Sequence, residues 1–396
     1  MSMRAISLEA GLVLVTLLGV SSPLAAQTAE DFFNDQVLQT LEITIHSRDW
    51  NDLRANDAAA DYYPADLSWN GLRMRNVGIR SRGLGSRYGP KPGLELSFDH
   101  YASRQRFLGL RSIVLDNLVT DASMLRESVA MAFLRRMGVP ASRESHARVF
   151  VNGEYIGTYA SVEAIDTVFV ERAFGEAGSL YEFRWTYPYF GTFLGESLDP
   201  YRTLFDPRNL TTQSTFELYT PVRDLFKTIN QAPDATFADD VDKVLDLNSL
   251  IRLVAADALL AELDGFLGYA GMNNVYLSRI GQRARFLPWD KDHAFHAADY
   301  PILAGASENA LMGRVLNDPS LRASFFAAVN EAAFSAASGN WLVLEIVRQY
   351  VQIRDAALAD ELKPFSNTDF ENAVAELLAF AQSRPGFVVG EVQRLR

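Results

Sequence analysis

Apolar and polar positions alternate along much of the first third of the chain, and this is the pattern of half-buried β-strands. Residues 41–46 (LEITIH) and 74–83 (MRNVGIRSRG) alternate in this way, and residues 94–98 form a third β-like run. A turn signal, Asn70-Gly71, precedes the second run. The pattern predicts short strands joined by tight turns.

Helical spacing first appears in residues 122–139, where apolar side chains recur every three or four positions. Gly138 and Pro140 predict the end of this helix. Ser123 or Asp121 is predicted to cap its start, because both side chains accept hydrogen bonds from helical N–H groups.

A β-hairpin is predicted directly after that helix. Apolar runs at residues 147–151 and 154–163 flank Asn152-Gly153, which is a strong hairpin signal. Together with the preceding strands, this hairpin predicts a β-rich N-terminal lobe over residues 27–165, with one prominent helix.

Helical patterns dominate the rest of the chain, which predicts a mainly helical C-terminal lobe over residues 166–396. Residues 183–209 are rich in Tyr, Phe, Gly and Pro and predict an irregular connector. Residues 249–264 predict a long amphipathic helix, and β-like runs at 273–279 and 284–290 follow it. The expected fold class is α+β.

The first 26 residues have the pattern of a secretory signal peptide. Arg4 precedes an uncharged run over residues 11–20, and Ala25-Ala26 provide small residues for cleavage. The apolar run is too short to span a membrane. We therefore expect residues 1–26 to be removed and the protein to be exported, either to the periplasm or to the cell surface and beyond, with no integral membrane segment.

Composition narrows the possible functions. The 396 residues include 37 Lys and Arg against 49 Asp and Glu, which gives a net charge of −12 and argues against nucleic-acid binding. Cysteine is absent, which excludes disulfides, thiolate metal sites and a cysteine nucleophile. The five lysines are Lys91, Lys227, Lys243, Lys291 and Lys363.

A basic, glycine-rich loop over residues 80–93 is the first candidate for chemistry. It has four glycines together with Arg80, Arg82, Arg87 and Lys91. Glycines let backbone N–H groups approach an anion, and the basic side chains add charge. The alternative is a tight hairpin whose arginines are solvated.

Two acidic motifs in the C-terminal lobe are the other candidates. Asp264-Gly265 closes the long helix and Asn274 follows ten residues later, an arrangement that can bring together a base and a metal ligand. Asp290 and Asp292 follow a β-like run, and two carboxylates at that spacing suit a hard cation such as Mg²⁺. The alternatives are an ordinary helix stop and ordinary turns; zinc is disfavoured because the nearby histidines are loosely spaced.

Taken in order, several segments resemble the CotH family, spore-coat-H-like proteins regarded as atypical secretory-type protein kinases. The similarity is most specific in the hairpin NGEYIGTYASVE and in PWDKD. The matching segments are residues 77–87, 91–99, 107–117, 121–130, 138–166, 179–183, 245–265, 273–277 and 286–295.

The resemblance implies a kinase-like, two-lobed fold with ATP in the cleft and Mg²⁺ or Mn²⁺ as the cation. It implies that Arg82, Ser86 and Arg87 lie against the triphosphate. Lys91 would be the lysine that contacts phosphate, and Glu127 would pair with it. Family members often have further basic residues just after this lysine, and this chain does not.

For the C-terminal lobe, the resemblance implies that Asp264 is the catalytic base. Asn274 and Asp290 would hold the metal ion, with Asp292 as an indirect or alternative ligand. Glu163 would lie near the connection between the lobes or near the nucleotide.

The resulting hypothesis is an exported kinase that transfers the γ-phosphate of ATP to Ser or Thr of an exported or surface protein. One alternative is a non-catalytic envelope scaffold or adhesion protein that retains the fold. Another is a metal-dependent glycosyl- or nucleotidyl-transferase that uses Asp290 and Asp292, although it leaves the glycine-rich loop and Lys91 less well explained.

Overall fold

The alternating pattern of the N-terminal third produces a closed β-barrel. The computed structural model describes residues 27–55, 61–83, 87, 89–209 and 212–396, so the predicted signal peptide and Ser86 lie outside the described residues. In the first strand Leu41 and Ile43 are buried and Glu42 is exposed, as the alternation predicts. The barrel strands are β1 (Gln39–Ile45), β2 (Tyr63–Trp69), β3 (Leu72–Ser81), β4 (Leu94–Ser97), β5 (Ser112–Asp116), β6 (Glu144–Val151) and β7 (Glu154–Glu163).

The barrel closes through one parallel contact. Around it the strands run β1-β2-β3-β4-β5-β7-β6, and β1 pairs with β6 in parallel while the other pairs are antiparallel. Both predicted hairpin turns are present, since Asn70-Gly71 joins β2 to β3 and Asn152-Gly153 joins β6 to β7. All four turn residues have positive φ, as a two-residue hairpin turn requires.

The remainder of the described chain is mainly helical and includes a four-stranded sheet in the order β11-β10-β8-β9. Its strands are β8 (Ser179–Phe183), β9 (Phe205–Pro207), β10 (Val275–Ile280) and β11 (Arg283–Pro288). The helices of the whole described chain are α1 (Ala29–Phe32), α2 (Ser47–Ala55), α3 (Arg126–Arg136), α4 (Thr167–Phe174), α5 (Asp199–Leu204), α6 (Thr215–Gln231), α7 (Phe237–Asp242), α8 (Leu247–Leu260), α9 (Ala310–Asn317), α10 (Pro319–Ala337), α11 (Trp341–Leu358) and α12 (Asn367–Leu395). None of the helices among the described residues has the length and apolar character needed to cross a membrane. The fold class is α+β, as expected.

Two regions differ from the sequence expectation. The helix α2 lies within the region expected to be β-like, and it buries only Trp50 and Leu53, so its helical pattern is short. The region expected to be an irregular connector contains α5 and β9. There the aromatic rings of Tyr201 and Phe205 pack against Phe226 of α6, and this long-range packing orders the segment.

The helix α3 packs against both lobes. The N-cap residue of α3 is Leu125, without a side-chain cap, so neither Ser123 nor Asp121 is the cap residue that the sequence predicted. The Asp121 carboxylate nevertheless accepts hydrogen bonds from the N–H groups of Leu125 and Arg126, both at 2.8 Å. Phe133 contacts Trp341 of α11, with ring centroids 5.9 Å apart. Because α3 is buried between the barrel and the C-terminal helices, its position is set by both.

A buried ion pair joins the barrel to the segment that follows α11. The Lys91 ammonium donates to an Asp360 carboxylate oxygen at 2.6 Å, and the Thr158 N–H donates to the same oxygen at 3.0 Å. Both charged side chains are almost fully buried. Gly157 has φ of 121°, and a Cβ there would lie 2.4 Å from Asp360, so only glycine admits this carboxylate.

We expect Asp360→Asn to destabilise the protein strongly. The substitution keeps the shape of the side chain but leaves the Lys91 ammonium buried without a counter-charge, which costs about 3–5 kcal/mol of unfolding free energy. Urea denaturation measures this. Asp355→Asn, whose side chain is fully exposed, is the control. Equal midpoints for the two variants would show that Asp360 does not hold Lys91.

Candidate functional site

A cleft of about 630 Å³ lies between the barrel and the four-stranded sheet. Its size is typical of a small-molecule site. Both lobes contribute, because side chains from β3, β5 and α3 face side chains from the loop after α8 and from the ends of β10 and β11. The residues predicted from the sequence that line the cleft are Arg82, Arg87, Glu127, Asp264, Asn274, Asp290 and Asp292.

The Asp264 carboxylate is oriented by two amides. One of its oxygens accepts from the side-chain NH₂ of Asn273 at 3.0 Å and of Asn274 at 3.1 Å. The Asp264 N–H donates to Glu262 at 2.7 Å, which positions the backbone. Burial raises the pKa of Asp264 above its usual value, whereas the Asn273 hydrogen bond lowers it. The sequence predicted that Asp264 and Asn274 would meet, but did not predict a role for Asn273.

The loop that holds Asp264 is anchored at the end of α8. Ala261 adopts a left-handed conformation with φ of 51° and ends the helix. The fully buried Arg384 of α12 donates to the carbonyls of Ala258 and Leu259. A guanidinium at this position satisfies the last carbonyls of α8 and complements the negative end of its dipole. The start of the loop is therefore held by the C-terminal helix.

Strand pairing brings Asn274 and Asp290 together. Asn274 precedes β10 and Asp290 follows β11, and the antiparallel register pairs Val275 with Pro288. The Trp289 N–H donates to the Asn274 carbonyl at 2.9 Å. Asn274 and Asp290 have φ of 48° and 49°, a left-handed conformation that Asn and Asp adopt more readily than other non-glycine residues.

Asp290 and Asp292 both line the cleft, with one residue between them in the chain. Burial raises the pKa of Asp290 well above its usual value, and the charge of Asp292 raises it further. The Thr120 hydroxyl donates to Asp292 at 2.6 Å from the opposite lobe. Neighbouring carboxylates repel each other unless a proton or a cation offsets their charge.

Two more carboxylates face this pair across the cleft. Asp116 stands at the end of β5, and Glu127 lies in the first turn of α3 with only 4% of its surface exposed. Burial raises the pKa of both; the charge of Glu144 is the next cause for Glu127, and the charge of Asp292 contributes to the raised pKa of Asp116. Sequence reasoning missed Asp116, although it ends an apolar β-run as Asp290 does. The same pattern, an aspartate directly after an apolar β-run, could therefore have identified Asp116.

The position of Lys91 differs from the position that the family resemblance implied. Lys91 does not line the cleft, and its ammonium is bound to Asp360 rather than to Glu127. The ring of Tyr159 lies 5.2 Å from the same ammonium. The expected pair of Lys91 and Glu127 is therefore absent from the described structure. The partner of Lys91 is 269 residues away, so no local pattern could have identified it.

Arg82, which follows β3, brings a positively charged side chain into the cleft. Its guanidinium stacks over Trp289 with 4.8 Å to the ring centroid and lies 4.0 Å from Glu182. Glu95 of β4 binds Arg80 at 2.6 Å. Burial would raise the pKa of Glu95, but the charges of Arg82 and Arg80 lower it. Arg87 lines the cleft and donates to the Gly83 carbonyl.

Glu163 lies at the end of β7, outside the cleft lining. Its carboxylate accepts hydrogen bonds from Arg143 and from Arg172 of α4, each with a 2.7 Å contact. Glu163 therefore joins the barrel to the first helix of the C-terminal lobe. This position agrees with the implied place near the connection between the lobes, and not with contact to a ligand in the cleft.

A buried lysine supports the floor of the cleft. Lys291, between the two aspartates in the chain, is fully buried, and its ammonium lies 3.5 Å from Asp257 of α8. Burial alone would lower the pKa of Lys291, but Asp257 and Glu262 raise it. A Cβ on Gly265 would lie 2.8 Å from the Lys291 ammonium, so this glycine allows the approach. The lysine thus links the Asp290 segment to the Asp264 loop.

The donors of this cleft suit a hard divalent cation. Asp290, Asp292 and Asn274 line the cleft and offer oxygen atoms, which Mg²⁺ and Mn²⁺ prefer, and a cation would offset the charge of Asp292 that raises the pKa of Asp290. Among the described residues, no group of three or more histidine, aspartate or glutamate side chains is already arranged to hold a metal ion. Mg²⁺ commonly uses one or two carboxylates together with water and phosphate, so two suffice.

Comparison with known proteins confirms the family resemblance. A family model described as CotH kinase protein matches residues 79–388. Inner spore coat protein H of Bacillus subtilis (strain 168) is 24% identical over 351 residues, which cover 85% of this chain and 92% of that protein.

Two solved structures were also found. The Helicobacter pylori proinflammatory kinase CtkA aligns with a TM-score of 0.32 at 11% identity, covering 76% of this chain and 94% of that chain. The HipA, HipB and operator DNA complex of the Shewanella oneidensis MR-1 toxin–antitoxin system aligns with a TM-score of 0.36 at 11% identity, covering 86% of this chain and 67% of that chain.

We expect Asp290→Asn to stabilise the protein when divalent cations are removed. The raised pKa means that the native state holds a proton that the unfolded state releases, so this carboxyl lowers stability as pH rises above its usual pKa. At pH 7.5 in a chelator, the amide should add about 1–3 kcal/mol to the unfolding free energy. Thermal or urea unfolding tests this, with Asp355→Asn unchanged. A less stable Asp290→Asn protein would contradict the electrostatic argument.

Proposed function

The chain belongs to the CotH kinase protein family, and on that premise we propose that it is an exported atypical protein kinase. It transfers the γ-phosphate of ATP to Ser or Thr of an exported or surface protein, with Mg²⁺ or Mn²⁺ as the cation. The main support is a carboxylate held by two amides, Asp264, beside the pair Asp290 and Asp292 in one cleft. The predicted signal peptide supports export.

Phosphoryl transfer depends on positioning and on charge compensation, and the cleft residues suit both requirements. Asp264 orients the acceptor hydroxyl and accepts its proton on a carboxylate oxygen. Asn273 and Asn274 hold that carboxylate at one oxygen and leave the other available. Asn274, Asp290 and Asp292 would hold the cation, which neutralises charge on the phosphate oxygens when bound.

The nucleotide would lie between the barrel and the sheet. Arg82 and Arg87 would bind phosphate oxygens, and the apolar side chains of Val114, Val162 and Val275 would contact the base, since all of them line the cleft. In this proposal Arg82 provides the charge that the resemblance assigned to Lys91. Lys91 instead has a structural role, because its ammonium is paired with Asp360.

A non-catalytic surface scaffold is the second candidate. The observation that favours it is the engagement of Lys91 with Asp360, since a kinase-like protein that keeps its lysine out of the cleft has lost one usual phosphate contact. In this alternative the fold serves as a binding surface, because a fold does not determine an activity.

Phosphotransfer is the first test. We expect wild-type protein with ATP labelled at the γ-phosphate and Mg²⁺ or Mn²⁺ to label itself or a Ser/Thr-rich acceptor protein. Asp264→Asn should lower the rate roughly 10²–10⁴-fold, because the acceptor loses its base. Asp355→Asn is the matched exposed control. Equal rates in Asp264→Asn and wild type would reject the assigned base, and no transfer by the wild type would favour the scaffold.

Nucleotide binding is tested separately by thermal unfolding. Mg-ATP at a hundredfold excess over its dissociation constant should stabilise the wild-type protein by about 2.7 kcal/mol. Arg82→Met should reduce this shift, because the cleft loses a phosphate-binding charge, while Arg48→Met on the exposed face of α2 should not. An unaltered Mg-ATP shift in Arg82→Met would remove Arg82 from the nucleotide site.

A further inference from the structure

Aromatic side chains are exposed beside the loop that holds Asp264. Three of the six exposed aromatic side chains among the described residues, Trp185, Tyr187 and Tyr269, lie on two segments. One segment follows β8, and the other joins Asp264 to β10. Tyr269 is 74% exposed and Trp185 is 42% exposed. We call these three residues the aromatic surface, because large apolar rings that are clustered in contact with water commonly mark a site of interaction.

Backbone contacts hold the two segments together. The indole N–H of Trp185 donates to the Ala270 carbonyl at 3.0 Å, and the Met272 N–H donates to the Tyr189 carbonyl at 2.7 Å. Gly271 has φ of 92°, and a Cβ there would lie 2.6 Å from the Tyr189 backbone nitrogen, so only glycine allows this approach. The ring of Trp185 is therefore fixed in place while a large part of it stays exposed.

The aromatic surface is also connected to the proposed catalytic base. The Tyr269 N–H donates to the Leu263 carbonyl at 2.9 Å, and Leu263 directly precedes Asp264. Trp185 lines the cleft together with Asp264. The aromatic surface therefore flanks the carboxylate to which the proposed function brings an acceptor hydroxyl.

The arginines beside the aromatic surface are paired with carboxylates. Arg184 lies 2.6 Å from Asp206, and Arg208 lies 3.2 Å from Glu182. A peptide extended across this surface would therefore meet mainly apolar rings. Contacts between aromatic rings are favourable beyond the area that they bury, and rigid Trp and Tyr side chains bind at a low cost in conformational entropy.

We propose that the aromatic surface selects the acceptor by binding a large apolar or aromatic side chain that flanks the Ser or Thr to be phosphorylated. Because an extended chain advances about 3.3 Å per residue, the residues on either side of that hydroxyl lie over the surface next to Asp264. The acceptor oxygen forms the new bond to the γ-phosphorus, ADP leaves, and the hydroxyl proton passes to Asp264. This inference rests on the proposed kinase function and adds the class of acceptor that the site prefers.

Binding and phosphotransfer are measured with three synthetic peptides. Each peptide has a central serine in a glycine and alanine background, and the flanking position on either side carries Phe, Ala or Arg. Fluorescence anisotropy of the labelled peptide measures binding to the full mature chain without nucleotide, and phosphotransfer with Mg-ATP gives KM and kcat. We expect the Phe peptide to bind roughly tenfold more tightly than the Ala peptide and to have a correspondingly lower KM.

Tyr269→Ser is the test variant, and Phe334→Ser is its matched control. Phe334 of α10 is 73% exposed, as Tyr269 is, and does not line the cleft. Tyr269→Ser should reduce the preference for the Phe peptide roughly fivefold or more, through KM with kcat unchanged, because the ring contributes only binding. Phe334→Ser should keep the wild-type preference. The thermal shift with Mg-ATP should be the same in both variants, since neither change touches the nucleotide site.

Equal affinities for the Phe and Ala peptides would overturn the inference, as would a preference for the Arg peptide or an equal change in Tyr269→Ser and Phe334→Ser. Phosphotransfer by the wild type would still support the kinase function in each of these cases. If circular dichroism shows that Tyr269→Ser does not fold, Tyr187→Ser decides by the same criterion. Tyr269-dependent binding of the Phe peptide without any phosphotransfer would support the aromatic surface as a peptide site and reject the kinase activity.

Discussion

The buried contact of Lys91 with Asp360 is the interaction on which the relative position of the two lobes depends. It joins the loop before β4 to the segment after α11, and Gly157 leaves room for it. Such a pair adds little net stability compared with an apolar contact, but breaking it leaves a buried charge. The pair therefore serves chiefly to fix how the barrel and the helices pack against each other, and the cleft lies between the parts held in this arrangement.

Several features of the cleft lower the free energy of unfolding. Carboxylates from both lobes face one another, and Asn274 and Asp290 adopt left-handed backbone conformations. Each feature costs free energy that the extensive apolar cores of the barrel and the helical lobe offset. A concentration of such costs at one place is the physical signature of a functional site.

Buried basic residues around the cleft hold its parts in place. Arg384 binds the carbonyls that end α8, and Lys291, next to Asp290 in the chain, lies 3.5 Å from Asp257 of α8. On the barrel side, Glu95 positions Arg80 and contributes to the field around Arg82. The acidic Glu95 is thus balanced by two arginines, and the cleft still has a cationic side chain in Arg82.

The sequence by itself determined the elements whose signals lie within a few residues. Hairpin turns such as Asn152-Gly153, the long helix before Asp264, and the strand end that presents Asp290 all follow from local periodicity and turn chemistry. Even the meeting of Asp264 with Asn274 was predictable, because a short loop connects them. These features need no knowledge of distant contacts.

Only the tertiary structure decided which charged groups pair and which remain unpaired. Lys91 contacts a carboxylate 269 residues away, and Glu127 lies among other acidic groups, foremost Glu144. Electrostatic partners are chosen by distance and burial in three dimensions, and neither quantity has a local sequence pattern. Local patterns therefore identified the acidic motifs, while the packing of the lobes decided how their charges are arranged.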